Sequence, residues 1–236
     1  MADLTGRSII GSQAGGGGEP SIFGINPATG ESLQPGYAAV SESELDQAAE
    51  LAADAFEVFG KSTGAARAAF LREIANNIEA IGDDLAKRAP QETGLPEGRI
   101  RMETGRTCGQ LRLFASVAEE DSWVDARIDH ADPGREPVPK PDVRSMERPL
   151  GPVAVFCASN FPLAFSVAGG DTAAALAVGC SVVVKAHHSH PGTAELVGQA
   201  VSTAVRDCDL PEGTFSLLYG PGRETGSALV GHPAIK

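Results

Sequence analysis

The segment 151–185 reads GPVAVFCASNFPLAFSVAGGDTAAALAVGCSVVVK, and its first twenty residues carry no charge. A run of that length reaches the roughly 20 apolar residues that a membrane-spanning helix requires. Its contents argue against a span. Pro152, Ser159, Asn160, Pro162, Ser166, Gly169 and Gly170 interrupt it, and Asp171 follows where a helix would continue. The apolar, β-rich VAVFCAS behind Gly151-Pro152 reads as a short strand buried on both faces. Asn160-Phe161-Pro162 reads as a turn, Pro162 as the first residue of a buried helix ending near Gly179, and SVVVK as a second short strand. Strand, helix, strand in that order is the βαβ unit of a parallel sheet, which fixes the fold class as α/β.

The rest of the chain agrees. Helix PGTAELVGQAVSTAVRDCD, strand TFSLLYG, the turn GPGRETG and a short helix extend the alternation to the doubly wound, Rossmann-like pattern. Ahead of it, turn signals at Asn26-Pro27 and Thr29-Gly30 predict a small hairpin, and Ser41 with Glu44 forms a capping box that opens a helix through Phe59. A second helix carries Phe70, Leu71, Ile74, Ile78 and Ile81 on one face. Pro90 should kink a third or end it early, and a fourth lines up Ile100, Thr104, Cys108, Leu111, Ala115 and Ala118. From Asp129 the prolines multiply and helical periodicity stops, as in a linker or an excursion of edge strands. The glycine run near the start reads as a loop. Only three strands of the Rossmann-like sheet are readable before VGHPAIK, which predicts an open sheet edge and the front part of a longer chain.

A net charge of −12 over 236 residues disfavours nucleic acid and anionic membranes as partners, while small acidic ligands stay compatible with local basic groups. The N-terminus has no basic start followed by an apolar block, and the four cysteines, 108, 157, 180 and 208, form no C-x-x-C. Both features fit a cytoplasmic protein with reduced thiols.

The wording of ASNFPLAFSVAGGDTAAALAVGCSVVVKAHHSHPGTAELV resembles the cofactor-domain motif of the aldehyde dehydrogenase superfamily, an Asn-aromatic-Pro turn followed by a strand-terminal lysine. GINPATGE, ETGLP, ERPLGPVAVF, LPEGTFSLLYGPG and LVGHPAIK agree with it in order, so the resemblance covers nearly the whole chain. It is nearest to the NADP-linked branch that includes 2,5-dioxopentanoate (α-ketoglutarate semialdehyde) dehydrogenases and a fatty-aldehyde enzyme of luminous bacteria. The resemblance implies that residues 1–128 are the mostly helical N-terminal part of the cofactor-binding domain. It further implies that 129–149 are bridging strands of a homodimer or homotetramer, and that 150–236 are an incomplete Rossmann-like part.

It also implies roles. Asn160 matches the family's oxyanion donor, although from the residues alone a cap on a helix starting at Pro162 is the favoured reading. Phe161 would line the substrate pocket, and Ser159 would lie beside the cofactor. Lys185 would hold the adenosine ribose; its plain alternative is a lysine snorkelling from a strand end. His188 stands three residues after it, where most NAD-preferring relatives carry a glutamate. A histidine does not repel a 2′-phosphate, which points to NADP, with NAD as the other candidate. Three histidines in the four residues 187–190 raise a metal site only weakly, because one short turn rarely offers tetrahedral geometry. Gly220, Gly222 and Gly226 would let the backbone approach the cofactor, or simply form a strand-to-helix turn. The family's nucleophilic cysteine and general-base glutamate would fall beyond Lys236, so these 236 residues alone should not oxidise aldehydes. The other readings are an inactive cofactor-binding fragment and a coenzyme A-acylating relative.

Overall fold

Three parallel strands, β7 (Val153–Phe156), β8 (Val182–Lys185) and β9 (Phe215–Leu218), form the centre of the sheet in a computed structural model that describes residues 3–236. Every residue of β8 and β9 is buried, as expected for strands covered on both faces. Ahead of them come β1 (Ser8–Ile10), β2 (Gln13–Gly15), the hairpin strands β3 (Ile22–Ile25) and β4 (Ser32–Tyr37), and helices α1 (Glu42–Phe59), α2 (Gly64–Ala80), α3 (Gly82–Thr93) and α4 (Glu97–Glu120). The strands β5 (Arg127–Asp129) and β6 (Val143–Ser145) form a separate two-stranded pair. Crossovers are made by α5 (Gly170–Val178) and α6 (Pro191–Asp207), and α7 (Thr225–Gly231) follows β9.

The capping box at Ser41 and Glu44 is formed, and the predicted apolar stripes of α1, α2 and α4 face the core. There Phe59, Phe70, Leu71, Ile74, Ile78, Ile100, Leu111 and Ala115 pack together with Leu176, Val184 and Leu217 of the Rossmann-like part. The helical and sheet regions therefore share one core. Among the described residues no helix is long and apolar enough to cross a membrane.

Four expectations change. No helix starts at Pro162: residues 162–169 are turns and bends, and α5 begins at Gly170. The chain folds back so that Gly170 N–H donates to Ala164 O at 3.1 Å, and a Cβ on Gly169 would collide with that same carbonyl. The glycine run is loop from Gly16 to Gly18, but two strands that the sequence did not announce precede it. The strand β1 pairs antiparallel with β9, with Ile9 opposite Leu217, and β2 adds outside it, giving the order β2-β1-β9-β8-β7. The edge of β9 is thereby covered, and the open edge is that of β7, whose Phe156 is 44% exposed rather than buried on both faces. Pro90 neither breaks nor shortens α3 sharply; the helix runs on to Thr93 and stops at Gly94, whose φ of 70° and N–H to Pro90 O close it.

Buried carboxylates join the parts. Glu195 of α6, 1% exposed, accepts from Thr5 N and Thr5 Oγ1 at 2.6 Å each, Gly6 N at 3.2 Å and Tyr37 Oη at 2.7 Å. Burial, reinforced by that carboxylate, raises the Tyr37 phenol well above its usual range, so Tyr37 remains a donor. Glu92 of α3 accepts from Gly192 N and Thr193 N at 2.8 Å each, capping the N-terminus of α6 from another helix. A buried charge stripped of such partners, or partners stripped of the charge, costs about 1.5–3 kcal/mol per charged hydrogen bond. Glu195→Ala is expected to lower the unfolding free energy by about 3 kcal/mol or more in urea titrations. A loss within error of zero would show that the N-terminal strands are held by apolar contacts alone.

Candidate functional site

Because β7, β8 and β9 run parallel, their carboxyl ends open on one edge of the sheet, where α/β proteins place their ligands. Phe156 lies opposite Lys185 and Lys185 opposite Leu218. The loops leaving those ends carry Ser159 and Asn160, the histidines 187–190, and Gly220 with Gly222. The sequence-predicted residues are thus brought to one rim by the parallel register.

Ser159 and Asn160 lie in a bend, Asn160 exposed, and the Asn160 side-chain amide has no hydrogen-bond partner among the described residues. With α5 beginning at Gly170, the capping alternative is gone. The bend is held from three directions. Ala158 N–H donates to Phe165 O at 2.8 Å, His190 Nε2 lies 2.8 Å from Ala158 O, and the Glu103 carboxylate of α4 accepts from Leu163 N at 2.9 Å and Ala164 N at 3.0 Å. Glu103 is 2% exposed and pairs with Arg99 at 3.4 Å. Phe161 is half-buried, edge-on to Phe165 at 5.0 Å between ring centroids.

Lys185 is 7% exposed, and no carboxylate lies within ion-pair distance of it among the described residues. Burial lowers its pKa, a shift that the neighbouring Cys157 only partly opposes and that a bound anion would reverse. The histidines stack instead of converging on a point: His187 is 4.4 Å from His188 and 5.6 Å from His190, ring centroid to centroid. Among the described residues no three His, Cys, Asp or Glu side chains are placed to hold a metal. Burial pushes His187 down to about 4, helped by its two histidine neighbours and Lys185, and burial also lowers His190, so these two are neutral near pH 7. Of the three, His188 is the exposed one.

The three glycines separate. Gly220 is required by packing, since a Cβ there would overlap the Thr225 side chain. Gly222 is exposed with open space around it, and a Cβ on Gly226 would meet the Phe156 ring at an ordinary 3.6 Å. The cysteine beside this rim is Cys157, buried and pushed up to about 11 by desolvation, hence a neutral thiol near pH 7. Sequence reasoning missed Glu103, Glu92 and Glu195. Their signal was a glutamate inside an apolar stripe: Glu103 lies among Ile100, Thr104 and Thr107 on the buried face of α4.

The model of the aldehyde dehydrogenase family matches residues 16–236. The chain is 52% identical over 234 residues to alpha-ketoglutaric semialdehyde dehydrogenase 2 of Azospirillum brasilense, covering 99% of this chain and 45% of that protein. It is 47% identical over 236 residues to alpha-ketoglutaric semialdehyde dehydrogenase of Acinetobacter baylyi, covering 100% and 44%. Among solved structures, HpcC from Thermus thermophilus superimposes with a TM-score of 0.81 at 28% identity, over 98% of this chain and 42% of that one. The chain spans a little under half the length of the curated relatives it matches. Neighbours of the same fold include one structure complexed with NADP and one protein described as NAD-dependent.

The histidine stack carries a pH signature. An unfolded histidine titrates near 6.5; His187 in the fold titrates near 4. The unfolded chain therefore binds more protons between these values, and stability falls as pH drops through that window. His187→Asn should flatten the slope of urea midpoint against pH between about 6.5 and 4. Parallel slopes for the two proteins would show that His187 titrates normally.

Proposed function

This chain belongs to the aldehyde dehydrogenase family, and on that premise we propose that it supplies the cofactor-binding half of an enzyme that oxidises a semialdehyde to its carboxylate with NADP. The observation that carries the proposal is the parallel register that sets the Asn160 bend, Lys185 and the histidine turn at one carboxyl edge. The names of the two curated relatives support α-ketoglutaric semialdehyde as the substrate. The reading of 129–149 as bridging strands and of 1–128 and 150–236 as the two parts of one cofactor domain belongs to the same proposal.

The residues present fit a dinucleotide. Lys185 offers a buried cation with no internal carboxylate among the described residues, His188 is exposed at the rim, and the backbone at Gly222 is open to approach. Lys185 would bond the adenosine ribose and, with His188, its 2′-phosphate; Ser159 and the loop carrying Gly220, Gly222 and Gly226 would flank the rest. When bound, the nicotinamide supplies the hydride acceptor.

The chain's own contribution to the chemistry is Asn160. Its unpartnered amide can donate to the aldehyde oxygen as that oxygen gains negative charge, and one such donor is worth about 3 kcal/mol. The three anchors hold the main chain of the bend that carries this amide. Phe161 forms the adjoining apolar wall.

Two outcomes are expected. In the full-length enzyme, His188→Glu should lower the NADP/NAD ratio of kcat/KM by roughly tenfold, since a charged hydrogen bond to phosphate is replaced by repulsion. An unchanged ratio would place the phosphate elsewhere. For assembly, β5 and β6 are exposed along their whole length and present Ile128 and Val143, 57% and 51% exposed, with no core of their own. Removing residues 129–149 should convert a dimer or tetramer to monomers in sedimentation; unaltered oligomers would contradict that role.

A further inference from the structure

Four arginines of α4 have well-defined surroundings, and they divide into two sorts. Arg101 is tied to Asp83 at 3.0 Å and Glu97 at 2.8 Å, and Arg112 to Glu79 at 2.5 Å, as expected of a solvated helix in an acidic chain. Arg99 and Arg106 instead turn to the Asn160 loop. The Arg99 guanidinium lies 4.8 Å from the centroid of Phe161; that of Arg106 lies 5.8 Å from Phe161 and 5.1 Å from Phe165. Arg106 is exposed and has no carboxylate within ion-pair distance among the described residues. Arg99 shares Glu103 with two backbone amides, so its charge is only partly spent. Two guanidinium groups against one carboxylate leave this patch positive in a chain of net charge −12.

Stacking on an aromatic face fixes a guanidinium in place while leaving its N–H edge free to bind a carboxylate, a fork that lysine lacks. Phe161 follows Asn160 directly, so the positive patch borders the position proposed for the reacting carbonyl. We propose that Arg106, assisted by Arg99, binds the carboxylate at the far end of the aldehyde substrate and so selects acid-bearing aldehydes over neutral ones. This rests on the placement of the aldehyde at Asn160 argued above.

The test uses the full-length enzyme with two aldehydes of similar length, one ending in a carboxylate and one in a methyl group. Arg106→Gln should lower the acid/neutral ratio of kcat/KM by roughly tenfold, mostly through KM for the acid. Arg106→Lys should keep part of the preference, because it keeps the charge and loses the fork. Rising salt should weaken the wild-type preference. An unchanged ratio, or an equal loss on both aldehydes, would mean that Arg106 only braces the phenylalanines, and the proposal fails while the function stands. A wild-type enzyme that oxidises only the neutral aldehyde, or neither, defeats the semialdehyde reading together with the proposal.

Discussion

The carboxylate of Glu103 reaches from α4 to backbone amides 60 and 61 residues further along the chain, and the Asn160 bend depends on that reach. Ser159 and Asn160 are themselves exposed, while Leu163, Val167 and Ala168 behind them pack into the core. Here two amides of residues 163–164 are bonded to a buried charge, and the charge is held in turn by Arg99. The same device recurs where Glu92 caps α6 and Glu195 gathers the N-terminal strands. Each carboxylate belongs to a helix and each binds main chain from a distant segment. The helical region and the sheet are therefore joined by directional bonds as well as by the shared apolar core, which fixes the rim in register with α4.

The family's chemistry divides naturally across such a scaffold. At the carboxyl edge this chain places the exposed Asn160 amide, the buried Lys185 and a histidine stack in which His187 and His190 are neutral near pH 7. Its cysteines are not built for attack: Cys157 and Cys108 are both buried and both pushed up to about 11. Neither is poised as a thiolate.

Much of the architecture was legible because it rests on local pattern. The stripes Leu45-Ala48-Ala52 and Ile100-Cys108-Leu111, the Ser41 capping box and the strand SVVVK each declare themselves within a few residues. The failures lie where distant contacts override local preference. Pro162 looked like a helix start, but the fold-back of Ala164 onto Gly169 and Gly170 delays the helix to Gly170. The segment 8–15 gave no readable element, yet β9 offered an edge for it to pair with. The identity of the rim residues came from the motif, whereas the anchors beneath them and the two arginines above Phe161 required coordinates. No spacing rule links position 99, 103 or 106 to position 161.

The central claim is that the carboxyl edge of β7, β8 and β9 receives a dinucleotide through Lys185 and the turn after it. Amide chemical-shift mapping of the 236-residue chain titrated with NADP tests it without requiring turnover. The account predicts saturable shifts that start at Lys185 and run through 187–190, with a second group at 220–222 and a third at the Asn160 bend. Shifts confined to other surfaces, or none at millimolar cofactor, would contradict it.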